Sequence, residues 1–181
     1  MIIMKNAINN LAIIALLLFG TTKVMAQDIS GDNYDQKFKL GIGATVGYPF
    51  EDPYKLNVGG DVRLQYDLSQ KYSLTATTGF NNLFVTGDDN DLGYIPAKLG
   101  FKAFVFKDQF YLMGEAGAAF AVTNGYDDTS LLLSPSIGYA TKYIDISLRY
   151  EYLPDFPVLE DNTVDKGLGQ VALRLAYGFK L

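Results

Sequence analysis

The sequence of 181 residues contains no cysteine, no histidine and no tryptophan. Without cysteine the chain has no disulfide framework, no thiol nucleophile and no thiolate metal site. Without histidine it has neither a Ser-His-Asp triad nor an imidazole-ligated metal. Catalysis would have to rest on serine, lysine or carboxylates, and no segment sets a nucleophile beside a base. The sequence therefore predicts a protein that is not an enzyme, with no catalytic residues, no metal site and no other cofactor.

Charged residues are also scarce, at 19%, and acids outnumber bases by 20 to 15. The excess of acids excludes the basic surface by which proteins bind nucleic acids, so no nucleic-acid partner is expected. Low charge together with 14% aromatic residues is unlike the composition of disordered chains or coiled coils. The length suits one folded domain.

The N-terminus has the pattern of a secretory leader. Lys5 precedes an apolar run at residues 11–19, which is too short for a membrane-spanning helix of roughly 20 residues. Val24 and Ala26 stand at the positions that signal peptidase reads, which predicts cleavage before Gln27. Because the leader holds two lysines and no acid, its removal changes the net charge from −5 to −7 and leaves 155 residues.

Eight segments of the mature chain alternate apolar and polar residues with a period of two. In one of them Ile144, Ile146 and Leu148 are separated by Asp145 and Ser147. Period two indicates β-strands with one apolar and one polar face. The segments are residues 38–46, 56–68, 72–80, 95–105, 112–120, 133–139, 144–152 and 170–181.

The connections between these segments alternate in length. Tight turns are expected at 69–71, 108–109 and 141–142, and longer connections near 47–55, 81–93, 123–130 and 153–167. A soluble sandwich has no reason to sort its connections in this way, whereas an outer-membrane barrel has short periplasmic turns and longer outer loops. The sequence therefore predicts an all-β fold, an eight-stranded antiparallel up-and-down transmembrane β-barrel. Its domains are a cleaved signal peptide at 1–26, an N-terminal periplasmic segment at 27–36 and the barrel at 37–181.

The polar faces of the segments carry all the charges that lie well inside them. These residues are Asp61, Arg63, Lys98, Lys102, Glu115, Asp145, Arg149, Glu151 and Arg174. The lumen of an eight-stranded barrel is just filled by side chains, and the bulky apolar faces look too large for it. We therefore expect the charged face to point inward, where the charges must pair because an unpaired buried charge is costly.

Turn lengths predict which of these charges meet. A tight turn at 108–109 places Lys102 opposite Glu115, and the following tight turn places Arg149 opposite Ser134. We expect a Lys102–Glu115–Arg149 network that braces and plugs the barrel. The whole structural charge network in the lumen is predicted to comprise Lys98, Lys102, Glu115, Arg149, Glu151 and Arg174.

Tyrosine and phenylalanine gather near the ends of the segments, where interfacial girdles place aromatic rings. On the side of the long connections this predicted girdle consists of Tyr48, Phe50, Tyr54, Tyr94, Tyr150 and Tyr152.

The long connections hold 11 of the 20 acids. Asp88, Asp89 and Asp91 could offer oxygen atoms to Ca²⁺ or to a divalent bridge, but their spacing is not that of an EF-hand, and solvated loops are the simpler interpretation. Phe156 and Val158 form an apolar stretch stiffened by neighbouring prolines. We expect this stretch to be a site of contact with a partner, and the acids to be candidate loop-binding residues.

The chain resembles the small outer-membrane β-barrel family of the OmpA/OmpX-like kind, the "outer membrane protein beta-barrel domain", in residues 94–100, 144–151 and 173–181. The closing strand of that family usually ends in an aromatic residue, whereas here Leu181 is last and Phe179 stands two residues before it. The resemblance implies location in the outer membrane of a diderm bacterium. It also implies contact with outer-membrane lipid and lipopolysaccharide, and with the barrel-assembly machinery during biogenesis.

The expected function is that of a non-enzymatic envelope scaffold, or of a surface-binding protein that acts through acidic extracellular loops. Barrels of this architecture serve several roles, and the fold alone does not choose between them. A small-solute channel is an alternative, although the basic residues in the lumen favour a plugged interior. A lipid-modifying enzyme and a soluble periplasmic ligand-binding barrel are further alternatives. No particular extracellular or envelope partner is indicated by the sequence.

Overall fold

In the computed structural model the described residues are 37–85, 91–106, 109–123, 129–160 and 163–180. The predicted signal peptide and the segment at 27–36 lie outside them. Within the described residues no helix has the length and apolar character needed to cross a membrane. The strands are β1 (Phe38–Pro49), β2 (Tyr54–Asp67), β3 (Tyr72–Val85), β4 (Leu92–Phe106), β5 (Phe110–Ala121), β6 (Thr129–Ala140), β7 (Ile144–Glu160) and β8 (Thr163–Lys180).

The eight strands close into one antiparallel barrel. Each strand pairs with its neighbours along the chain, and β1 also pairs with β8, where Leu40 lies opposite Phe179 and Val46 opposite Leu173. Closure matters because an open strand edge would leave a row of backbone groups without partners. The predicted eight-stranded up-and-down antiparallel barrel is confirmed.

The two faces of the barrel wall differ as the alternation predicts. In β4 the outward Leu99 is 71% exposed, whereas the inward Lys98 and Lys102 are 3% and 1% exposed. Successive side chains of a strand point to opposite faces, so one polar–apolar alternation is enough to line the lumen with polar groups. All nine charged residues named from the alternating segments lie on the lumen side.

The connections are sorted less strictly than predicted. The turn between β2 and β3 and the connection between β1 and β2 both span four residues, and β7 and β8 are separated by only two. The predicted loop at 153–167 is therefore mostly strand, because pairing resumes beyond an irregularity between Leu153 and Pro157. The two ends of the barrel are called here the short-turn end, with the β2–β3, β4–β5 and β6–β7 turns, and the long-hairpin end, where β7 and β8 extend.

The strand registers correct two predicted pairings. Lys102 lies opposite Met113 rather than Glu115, and Arg149 lies opposite Ser136 rather than Ser134. In the first hairpin an irregularity between Phe104 and Phe106 shifts the ladder. In the second, three residues and not two separate β6 from β7, and the hydroxyl of Thr141 accepts hydrogen bonds from the backbone N–H groups of Tyr143 and Ile144. Each register shift is two residues, so every side chain keeps its face while its partner changes.

Candidate functional site

Glu115 is the centre of a buried ion cluster halfway along the lumen. Its carboxylate accepts a hydrogen bond of 2.7 Å from the hydroxyl of Thr77. Arg63 Nη2 lies 3.3 Å and Lys98 Nζ 3.5 Å from Glu115 Oε2. These three residues come from β2, β3 and β4 and meet because all point into a lumen too narrow to hold them apart.

Glu151 extends this cluster towards the long-hairpin end. Its carboxylate lies 3.0 Å from Lys98 Nζ and 3.3 Å from Arg149 Nε, and it accepts a hydrogen bond of 2.7 Å from the side-chain amide of Gln170. Lys98 therefore bridges the two glutamates. We call Arg63, Lys98, Glu115, Arg149 and Glu151 the central cluster.

A second ion cluster lies towards the short-turn end. Asp145 accepts hydrogen bonds from Lys102 Nζ at 2.8 Å and from the Tyr111 hydroxyl at 2.6 Å. Arg174 donates from Nε to Asp61 at 2.8 Å, and its Nη1 lies 3.8 Å from Asp145. We call Asp61, Lys102, Asp145 and Arg174, with Tyr111, the lower cluster.

The structure divides the predicted network between these two clusters. Lys98, Glu115, Arg149 and Glu151 meet in the central cluster, whereas Lys102 and Arg174 belong to the lower cluster. The predicted Lys102–Glu115 contact is wrong: the two-residue register shift places Lys102 opposite Met113, and its Nζ instead reaches Asp145 of β7 across the lumen.

Arg63, Asp61 and Asp145 were recognised from the sequence as inward charges but not as members of the network. Arg63 pairs with Glu115 across the lumen, and Arg174 reaches Asp61, 113 residues away in the chain. Alternation identifies the face of each residue, but contacts between strands that are not neighbours depend on the register of the whole barrel.

An apolar cluster fills the lumen at the long-hairpin end. It consists of Tyr54, Leu83, Leu92, Tyr94, Ala119, Ala121, Leu132, Leu153, Phe156 and Leu168, all buried. The sequence reasoning missed this cluster, although one signal points to it: at Leu131, Leu132 and Leu133 the alternation stops and both faces of β6 become apolar. Two members of the predicted girdle, Tyr54 and Tyr94, belong to this inner cluster and not to the outer surface.

Phe156 corrects another expectation. It was predicted in an exposed loop as a site of partner contact, but it lies in β7 with 0% exposure, and its ring packs edge-on against Tyr94 with centroids 5.3 Å apart. The side chain contributes to the interior and is not available to a partner. The side chain of Val158 lies outside the description, although its backbone pairs with Asp165 in the β7–β8 hairpin.

The acidic stretch before β4 is described only at Asp91. Its carboxylate accepts hydrogen bonds from the side chain of Asn82 at 3.1 Å and from the backbone N–H of Val85 at 3.2 Å, which fastens the end of β3. Asp88 and Asp89 lie outside the described residues. Among the described residues no group of three or more metal-ligating side chains is assembled.

A cavity of about 420 Å³ opens at the short-turn end of the lumen. Its wall includes Arg63, Lys102, Asp145 and Arg174, with the exposed Lys142 at the β6–β7 turn. From the long-hairpin end to the short-turn end, the barrel interior therefore has three layers, which are the apolar cluster, the central cluster, and the lower cluster with the solvent-facing cavity that it lines.

No protein-family model matches the chain, and no curated protein matches it. Among solved structures, Ail, the attachment invasion locus protein of Yersinia pestis, is similar with a TM-score of 0.53 and 19% identity over 80% of this chain and 99% of Ail. The N-terminal β-barrel domain of Pseudomonas aeruginosa OprF is similar with a TM-score of 0.56 and 12% identity over 80% of this chain and 100% of that domain. At these identities the likeness establishes the fold, that of the small outer-membrane barrel represented by Ail.

Proposed function

We propose that the protein is an integral outer-membrane β-barrel without enzymatic activity, which acts as an envelope scaffold or surface-binding protein. The observation that carries this proposal is the outward face, where large apolar side chains such as Leu99, Leu112 and Ile137 are more than half exposed. A water-soluble barrel would turn such a surface inward, whereas a barrel in lipid requires it.

The dimensions and the aromatic residues support the same proposal. The 12 residues of β1, at about 3.3 Å per residue and a tilt of roughly 40°, span about 30 Å, close to the hydrocarbon thickness of a bilayer. At the short-turn end the outward rings of Tyr143 and Tyr177 stack with centroids 5.8 Å apart, and Phe110 and Tyr139 lie 4.9 Å apart. Aromatic rings of this kind suit the membrane interface.

The surface-binding role is supported by the long-hairpin end. The apolar cluster makes this end a packed platform. Because Asp52 is paired with Lys55, the acidic character of the platform comes from the exposed Asp155 and the partly exposed Glu51 and Asp91. Ail has been crystallised with the heparin analogue sucrose octasulfate. An acidic platform disfavours such a polyanion, so we expect its ligand to be cationic or to be bridged by divalent cations, as lipopolysaccharide phosphates are.

The proposal includes the biogenesis partner and the surrounding lipids. Phe179, which is exposed on the outward face of the closing strand β8, is the aromatic residue that we expect the barrel-assembly machinery to recognise. Outer-membrane lipid and lipopolysaccharide would cover the apolar belt.

Cell fractionation with gel electrophoresis tests the proposal. We expect the protein in the outer-membrane fraction, resistant to extraction by alkaline carbonate, with a band that migrates faster when the sample is not boiled. A closed barrel that stays folded in detergent gives this shift because it binds less detergent and is more compact. Recovery as a soluble periplasmic protein without the shift would contradict membrane insertion and favour a ligand-binding barrel.

A further inference from the structure

The cavity at the short-turn end has the size of a ligand site and is lined by charge. Its volume of about 420 Å³ lies within the roughly 300–1,000 Å³ of small-molecule sites. The lining cations are Lys39, Arg63, Lys102, Lys142 and Arg174, and Asp145 is the single carboxylate among the described lining residues. Such a wall favours a negatively charged occupant.

Charge pairing deeper in the lumen does not remove this excess. Among the described charges that face the lumen, the cations are Lys39, Arg63, Lys98, Lys102, Arg149 and Arg174, and the acids are Asp61, Asp67, Glu115, Asp145 and Glu151. The cations therefore exceed the acids by one, and Lys142 at the mouth adds another. Because the lumen is narrow and largely shielded from water, an unbalanced charge in it attracts a counterion strongly.

One donor in the cavity wall lacks a partner. Arg63 is 3% exposed, its Nε donates to Thr77 at 3.0 Å and its Nη2 to Glu115 at 3.3 Å. Its Nη1 has no hydrogen-bond partner among the described residues. A buried guanidinium N–H without an acceptor is costly, and because Arg63 belongs to the cavity wall, a small movement of its side chain would bring Nη1 to an oxyanion in the cavity.

The neighbouring donors Lys102 and Arg174 are held in place by protein groups. Lys102 is fixed between Asp145, Gln65 and the face of Tyr111, whose ring centroid lies 3.9 Å from Nζ. The carboxylate of Asp145 repels an anion, but it already accepts from Lys102 and Tyr111. Fixed donors lose little entropy when they bind, which favours a small rigid ligand.

We propose that this cavity binds a small oxyanion, a phosphate or carboxylate group, with Arg63, Lys102 and Arg174 as its donors and Lys142 at the entrance. The chemistry of the site is independent of membrane insertion. Only its exposure to the periplasm rests on the proposed function. The same oxyanion chemistry is offered by a free phosphate in solution and by the headgroup of a phospholipid at the rim.

Gly41 allows a direct test, because it lines the cavity and has room for a side chain. A Cβ at this position would have no neighbour closer than 3.8 Å, and Arg174 Nη2 would lie 4.0 Å away. Gly41→Asp would place a tethered carboxylate among the donors. Gly41→Asn has the same size without the charge and is the matched control.

The experiment titrates sodium phosphate into the full chain purified in dodecyl maltoside, with sodium chloride at equal ionic strength as reference, and follows binding by calorimetry and by amide NMR shifts. We expect saturable phosphate binding with shifts at Arg63, Lys102 and Arg174. Gly41→Asn should weaken binding less than fivefold, whereas Gly41→Asp should abolish it. Lys142→Gln should weaken it two- to threefold, and Lys55→Gln, an exposed lysine at the opposite end, should leave it unchanged.

Titrations in lipid bilayers distinguish the two sources of the oxyanion, which are free phosphate and the lipid headgroup. The titration is repeated in nanodiscs of phosphatidylcholine and of phosphatidylglycerol. Phosphate binding that survives in both identifies a free oxyanion as the ligand, and binding lost only in phosphatidylglycerol identifies the lipid headgroup. Absence of saturable binding in the micelles, or equal phosphate affinities of Gly41→Asp and Gly41→Asn, would overturn the proposal. Neither result bears on membrane insertion, which the fractionation experiment tests separately.

Discussion

At the scale of the residue, the lumen shows how a narrow barrel tolerates buried charge. Glu115 is flanked by Arg63 and Lys98 and also accepts a hydrogen bond from Thr77, and its side chain has no exposed surface. Such clusters contribute little net free energy relative to an apolar interior, but removal of one member leaves the others uncompensated. Individual members should therefore be sensitive to substitution.

We predict that Glu115→Gln lowers the free energy of unfolding by about 3–5 kcal/mol, because Arg63 and Lys98 would be left in excess. Urea unfolding in detergent micelles measures this loss. The folded fraction is monitored by its resistance to trypsin or by its faster migration on a gel when the sample is not boiled. Asp52→Asn is the matched control, since Asp52 pairs with Lys55 on the exposed surface, where water and salt screen the pair, and its loss should cost far less. Equal losses for both variants would refute the bracing role of Glu115.

The outward face yields a second prediction at this scale. Leu99 lies at the middle of β4 and is 71% exposed, whereas Leu68 lies just beyond β2 at the short-turn end. If lipid surrounds the barrel, Leu99→Arg should cost about 2–4 kcal/mol and Leu68→Arg no more than about 1 kcal/mol, since the penalty depends on depth in the bilayer. Folding yields into lipid vesicles measure the difference. A barrel in water would tolerate both substitutions alike.

At the scale of the element, the β7–β8 hairpin is the most extended part of the wall. β8 begins at Thr163, whereas its neighbour β1 pairs with it only as far as Gln170. The hairpin therefore continues beyond β1 and is supported from inside by Leu153, Phe156 and Leu168 of the apolar cluster. Because of this support, the segment predicted as a loop at 153–167 forms a long hairpin instead.

We predict that Phe156→Ala loosens the long-hairpin end, because it removes a fully buried ring that packs on Tyr94. Loss of such a ring costs about 3–5 kcal/mol in a packed interior. Amide hydrogen exchange should rise in β7 and β8 beyond residue 153 and stay unchanged at the short-turn end. Phe84→Ala, which removes a partly exposed ring from the outward face near the same end, is the control. Unchanged exchange in Phe156→Ala would contradict the proposed role of Phe156 in supporting the hairpin.

At the scale of the whole molecule, the interior is sealed in layers. The apolar cluster closes the long-hairpin end, the central cluster crosses the middle, and only the short-turn end opens into a cavity. A water molecule or ion moving along the barrel axis would have to pass both the apolar cluster and the ion-paired side chains of the central cluster. The arrangement argues against the small-solute channel.

We predict that the protein inserted into planar lipid bilayers gives no stable single-channel current. Ion passage would require simultaneous displacement of Tyr94, Phe156 and the ion pairs around Glu151. Current recordings at both polarities measure this directly, with a known porin as positive control. Well-resolved, persistent current steps would mean that the apolar layer opens and would restore the channel alternative.

The sequence by itself determined the strand count, the antiparallel order and the face of each inward charge. These follow from local information, since alternation with period two assigns a face whatever the partner is. It also determined that lumen charges must pair, because burial without a partner is costly.

Only the tertiary structure decided which charges meet. Lys102 pairs with Asp145 and not with Glu115 because a two-residue register shift changes partners without changing faces. The inner apolar cluster, which buries Phe156, likewise requires side chains from seven strands, β2 to β8, to meet at one end. In a closed barrel, a change of register at any turn alters the relative positions of all the strands. Contacts across the lumen therefore depend on the registers of all eight strand pairs and not on any one segment.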